Sequence, residues 1–173
     1  MNRTLVAGIG NIFLGDDGFG VETARRLAGR DLPGAVEVVD IGVRGVHLAY
    51  QLLDGYDTLV LVDATARGEA PGTLYVIEYD GPGGDTGAVP PIDGHRMTPD
   101  TVLALLDTLC AGTDGQPPRR VLIVGCEPAS IEEGIGLSPP VSEAVPRAVR
   151  LIEELLLDGD PSVAQASTAE APR

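Results

Sequence analysis

The sequence predicts an α/β fold, a three-layer αβα sandwich around a mostly parallel, twisted five-stranded sheet. Three observations carry that expectation. The runs Thr4–Gly8 (TLVAG), Thr58–Ala64 (TLVLVDA) and Arg120–Gly125 (RVLIVG) are almost wholly apolar, as strands covered on both faces require. They alternate with segments whose apolar residues recur at helical spacing, the pattern of βαβ units. The first run also passes straight into a glycine-rich turn, Gly8-Ile9-Gly10, where such sheets place their ligands.

The elements follow in order. After strand one, residues 18–30 carry Phe19, Val21, Ala24 and Leu27 at helical spacing, with Arg25, Arg26 and Arg30 late, where they favour the helix dipole. Ala35–Ile41 (AVEVVDI) is strand two. Val46, Ala49, Leu52 and Leu53 mark the apolar face of a second helix. Thr58–Ala64 is a central strand. Thr73–Tyr79 (TLYVIEY) follows too soon for a right-handed crossover, so it is expected to be antiparallel or an edge strand. Residues 81–96 are a Gly- and Pro-rich loop. Thr98, Pro99 and Asp100 read as N-cap, first-turn proline and first-turn acid of a helix reaching Leu109. Arg120–Gly125 is the last strand and Pro140–Leu157 the last helix. Residues 1–158 are thus expected to form one α/β domain, and 159–173, small and polar, a disordered tail.

Composition narrows the function. A chain of 173 residues buries about 70% of its unfolded surface as one domain. The net charge of −14 argues against a nucleic-acid groove. All twelve basic residues are arginines, which excludes Walker-type phosphate binding and Schiff-base chemistry, since both need a lysine. No apolar run approaches a membrane span. Two cysteines are too few for a disulfide framework, and without an export signal a cytoplasmic location with free thiols is expected.

Chemistry is expected beyond strands one and three. The loop after strand one holds Asp16 and Asp17, and strand three ends at Asp63. In the common 2-1-3 strand order Asp17 and Asp63 converge at one edge. His95 lies in the other long excursion able to reach it. Two carboxylates and an imidazole suit a divalent transition metal with open positions. His95 ligates only when neutral, so binding should weaken as pH falls through about 6.5. Taken singly, each residue has a plainer reading: an Asp after a βα turn is ordinarily a helix cap, and a lone loop histidine is ordinarily solvated. Asp63, ending an apolar strand, needs a partner in either case. His47, within a helix, is read as having no chemical role.

Two other sites compete. Gly8-Ile9-Gly10 and Asp40 fit part of a dinucleotide fingerprint. However, Phe13 occupies its third glycine position, and two carboxylates precede the helix where a pyrophosphate would lie. Cys126 after the last strand is a candidate nucleophile opposite His95, but Glu127 beside it disfavours a thiolate. Cys110, on an apolar helix face, reads as core.

The motif set as a whole resembles the NiFe-hydrogenase maturation endopeptidases. It comprises Gly8-x-Gly10-Asn11, Asp16-Asp17-Gly18-x-Gly20, Asp40 and Gly42, Asp63-Ala64, His95, Glu127-Pro128 and Gly136-Leu137-Ser138-Pro139, within residues 3–155. The resemblance implies an endopeptidase that removes the C-terminal extension of the hydrogenase large-subunit precursor after nickel insertion. Asp17, Asp63 and His95 would be the catalytic, nickel-contacting residues, and Asn11, Asp40, Gly42 and Arg44 would bind substrate. Nickel would arrive with the substrate, and no nucleotide is expected. Many members carry Glu at the position of Asp17, and a Gly-Thr pair where this chain reads Gly42-Val43-Arg44. The implied partner is the precursor, met by a monomer, with no nucleic acid or membrane involved. Two alternatives stay open: a metal-free dyad in which Asp17 and Asp63 share a proton, and a non-catalytic nickel-handling accessory protein.

Overall fold

The computed structural model describes residues 3–79, 99–113 and 115–158. Its elements are β1 (Arg3–Ile9), a 3-10 turn (Gly15–Gly18), α1 (Phe19–Ala28), β2 (Ala35–Gly42) and α2 (Gly45–Leu52). There follow β3 (Thr58–Ala64), β4 (Leu74–Tyr79), α3 (Pro99–Ala111), β5 (Arg120–Cys126) and α4 (Pro139–Asp158). The sheet runs β2-β1-β3-β5-β4. Parallel pairing joins β1 to both β2 and β3, and β3 to β5. β4 runs antiparallel to β5 at the edge, as its short connection to β3 demands.

Period-two alternation divides the sheet between two cores. Leu5, Ala7 and Ile9 of β1, with Leu59 and Leu61 of β3, face α2 and α3, where Leu48, Leu52, Leu103 and Leu106 meet them. Val6, Val60, Val62 and Val124 face the other way, onto Phe19 and Leu27 of α1 and Val145 and Ile152 of α4. The expected apolar face of the second helix needs one correction. Gly45, Leu48, Ala49 and Leu52 form the buried stripe, while Val46 falls beside it and is 51% exposed. The 81–96 loop, the Thr98 cap and the 159–173 tail lie outside the described residues.

One close approach fixes the site. A methyl group on Gly20 would collide with the carbonyl oxygens of Val62 and Ile9, and one on Gly8 with the carbonyl of Gly20. Helix α1 therefore rests on β1 and β3 backbone to backbone. Gly20 performs the close-packing task that a dinucleotide fingerprint gives its third glycine, while Phe13 stands 60% exposed on the loop.

Candidate active site

The site is built where β1 stops. Pairing of β1 with β2 shifts register after Gly8, so that Ile9 lies opposite Gly42. Such irregularities recur beside functional sites because they re-aim the chain. Gly10 (φ +126°) donates its N–H to the Gly42 carbonyl at 2.9 Å and turns the backbone into the loop. Gly42 itself sits at φ +62°, a conformation glycine adopts without strain.

Asp17 lies in the 3-10 turn and is half-buried; its Oδ2 accepts the Asn11 N–H at 2.8 Å. Asp63 closes β3 and is 5% exposed, with Oδ1 accepting the Ala64 N–H at 2.8 Å. A methyl group at Gly10 would collide with the Asp17 carbonyl and lie 3.4 Å from Asp63 Oδ1. Gly10 is thus a neighbour to both aspartates, and its absent side chain keeps the space beside Asp63 open. His95 lies outside the described residues, among which no three of His, Cys, Asp and Glu gather as a metal-ligand cluster.

The four residues implied in substrate binding occupy distinct places. Asn11 Oδ1 accepts the Phe13 N–H at 2.9 Å and shapes the loop. Asp40 Oδ2 accepts Arg25 Nε of α1 at 3.0 Å. Gly42 carries the backbone bond to Gly10. Arg44 bends back onto its own strand, donating Nε to the Ile41 carbonyl at 3.3 Å and an Nη to the Asp40 carbonyl at 3.1 Å.

Asp16 is not the helix cap that its position after a βα turn made ordinary. It is buried (1% exposed) and reaches across the molecule. Oδ2 accepts from Ala129 N (2.8 Å), Ser130 N (3.2 Å) and Ser138 Oγ (2.8 Å), and Oδ1 from Ser138 N (2.7 Å). Burial pushes its carboxyl up, but bonds from Ser138, Ala129 and Ser130 outweigh it and hold the group below its ordinary value. A bridge pairs Leu14 with Gly134, so the loop bearing Asp17 and the loop 129–138 form one body.

Glu127, also buried, does the same on the other side. Its Oε1 accepts from Arg67 N (2.8 Å), Glu69 N (2.9 Å) and Tyr75 Oη (2.8 Å), tying down the turn after β3. Burial raises its carboxyl and these bonds more than reverse it, leaving it low. The Cys126 thiol is fully buried and burial pushes it up to about 12, so it holds no reactive thiolate at neutral pH. Nothing in the spacing of the sequence links residue 16 to residue 138. Both stand in the motif set, but nothing in it joined one to the other.

Comparison with known proteins places this arrangement. A family model described as hydrogenase maturation protease matches residues 21–155. The hydrogenase expression/formation protein HupD of Bradyrhizobium diazoefficiens is 32% identical over 99% of this chain and 88% of its own length. The hydrogenase 2 maturation protease of Escherichia coli is 33% identical over 87% of this chain and 88% of its own. Among solved structures, the hydrogenase maturating endopeptidase HybD from E. coli superposes with a TM-score of 0.72 at 30% identity, covering 91% of this chain and 93% of that one. With a family model over most of the chain, relatives more than 30% identical along most of its length and a shared fold, the chain belongs to the hydrogenase maturation protease family.

Proposed function

We propose that this protein hydrolyses one peptide bond in the large-subunit precursor of a NiFe hydrogenase, releasing the C-terminal extension after nickel has been inserted. The observation that carries the reading is the placement of Asp17 and Asp63 around Gly10, at the carboxyl edge of two neighbouring parallel strands. Nickel is cargo on this reading, held by the precursor, and Asp17, Asp63 and His95 are the donors that meet it. Two hard oxygen donors beside an imidazole suit a divalent cation. That contact both reports loading and orients the scissile bond, and orientation alone supplies a large part of a hydrolytic rate.

Hydrolysis consumes one water. Its oxygen adds to the scissile carbonyl carbon, the C–N bond breaks, and one water proton ends on the departing amine. A carboxylate of the Asp17–Asp63 pair accepts that proton and returns it to the leaving nitrogen. Asp16 takes no part in proton transfer, because both its oxygens accept from N–H and O–H donors, and Glu127 is engaged through Oε1 in holding the turn after β3. The same reading places the reaction in the cytoplasm, in a monomer, consistent with two free cysteines and with no helix among the described residues long or apolar enough to cross a membrane.

The test is intact mass spectrometry of nickel-loaded and nickel-free precursor after incubation with the wild-type protein, Asp17→Asn, Asp63→Asn and His95→Ala. The expected outcome is loss of a C-terminal peptide from the loaded form only, with each variant slowed at least 100-fold. Equal cleavage of both forms would remove the nickel check. Binding of the loaded precursor without cleavage would turn the reading into a non-catalytic metal-handling role.

A further inference from the structure

Beside the Asp17 loop lies a second feature that the hydrolytic chemistry does not use. A cavity of about 330 Å³ opens between the start of α1 and the loop 134–137, and Gly15 and Gly18, on either side of Asp17, form its near end. Val145 of α4 and Leu137 line it, with Ile12 and the 80% exposed Ile135 beside them. Exposed apolar side chains on a loop are costly to leave in water. These stand on a loop made rigid by Asp16 and by the Leu14–Gly134 bridge, which suits a surface built for contact.

Charge selects the occupant. Glu22, Arg25 and Arg26 of α1 also line the cavity. Arg25 is committed to Asp40 at 3.0 Å and Glu22 at 3.7 Å, whereas Arg26 makes no ion pair or side-chain hydrogen bond among the described residues. Arg26 is thus the lining arginine left without an acidic partner among the described residues, in a chain of net charge −14. An anionic segment is repelled by the molecule as a whole and attracted here. The one carboxylate that every C-terminal extension carries, whatever its sequence, is its own terminus.

Resting on the hydrolytic reading above, we infer that this groove receives the precursor's C-terminal extension, with apolar side chains against Ile12, Ile135 and Leu137 and the terminal carboxylate on Arg26. Docking there holds the chain on the far side of the bond to be cut and draws that bond across the Asp17 loop. The protein thereby recognises that an extension is present and uncut.

The experiment is fluorescence anisotropy with a labelled synthetic peptide of the cognate extension, made once with a free C-terminus and once as the amide. The wild-type protein is expected to bind the acid form about tenfold more tightly than the amide, the range of one charge-assisted contact. Arg26→Glu should erase that preference, and Ile135→Asp should weaken both forms alike. No binding, equal affinity for acid and amide, or a preference that survives Arg26→Glu overturns the assignment. Because binding is read without cleavage, the result stands apart from the precursor assay. A protein that binds the peptide as expected but shortens no precursor has the groove and lacks the hydrolytic function.

Discussion

Asp16 and Asp17 are the same residue type one position apart, and their surroundings give them opposite tasks. The Asp16 carboxylate takes four donors from residues 129–138 and is sealed from solvent, whereas Asp17 takes a single N–H among the described residues and remains half-exposed. Removing Asp16 leaves three backbone N–H groups and a hydroxyl without an acceptor, so Asp16→Ala is expected to cost about 3 kcal/mol of stability. Asp17→Ala should stay within about 1 kcal/mol. Urea denaturation at pH 7 checks this, and equal losses would refute the division. The pH dependence follows from the lowered carboxyl of Asp16. Its contribution is complete above the unfolded value, near 3.8, and is lost as pH falls through the lower folded value. Asp16→Asn should therefore be less stable at pH 7 and show a shallower loss of stability as pH falls below about 4. At this scale the sequence was half legible. The site aspartates stood out because a carboxylate at the end of an apolar strand or in a glycine loop needs a reason. The four partners of Asp16 were hidden, since the bonds span up to 122 residues and depend on tertiary closure.

Among the elements, the contact of α1 with β1 and β3 decides whether the site exists. Gly20→Ala drives a methyl group into two backbone carbonyls, which have no side-chain freedom with which to yield. The helix must lift from the sheet, carrying Asp17 with it, at a cost of about 3 kcal/mol or more. Gly29→Ala is the internal control. It lies at φ −85° with the Arg26 carbonyl 3.7 Å from the added carbon, so it should be neutral or stabilising by about 0.5 kcal/mol. Thermal melts of the two variants separate steric from entropic effects of losing a glycine, and a neutral Gly20→Ala would mean α1 is not seated by that contact. The 2-1-3 order of the first three strands and a β4 that is antiparallel or at an edge were expected, because apolar runs report burial and a short connection excludes a crossover; that β5 lies between β3 and β4 was not legible in the sequence. The misassigned Val46 shows the limit. In a helix only two turns long, three or four apolar residues fit more than one face, and packing against α3 settles which one turns inward.

For the molecule as a whole, charge is the dominant long-range term. Twenty-six acids face twelve bases, and the ion pairs among the described residues are mostly between partly exposed partners, such as Arg3–Glu37 at 3.5 Å and Arg30–Glu153 at 2.9 Å. Pairs of that kind contribute at most about 1 kcal/mol each and lose it as salt rises. Self-repulsion of a net charge of −14 acts over longer distances, beyond the ~10 Å Debye length of 0.1 M salt, and is therefore screened more completely. The two effects have opposite signs, so salt decides between them. If repulsion wins, raising NaCl from about 20 to 200 mM should raise Tm by about 3 °C, equivalent to about 1 kcal/mol for a domain of this size. A fall in Tm over the same range would show that the ion pairs hold the molecule together. Screening must also weaken what the surplus charge does to ligands. The acid-over-amide preference of the groove sets a close contact with one arginine against that long-range repulsion, and the repulsion is screened more completely, so the preference should persist over the same salt range; its loss by about 200 mM would mean that the contact is too exposed to outlast screening.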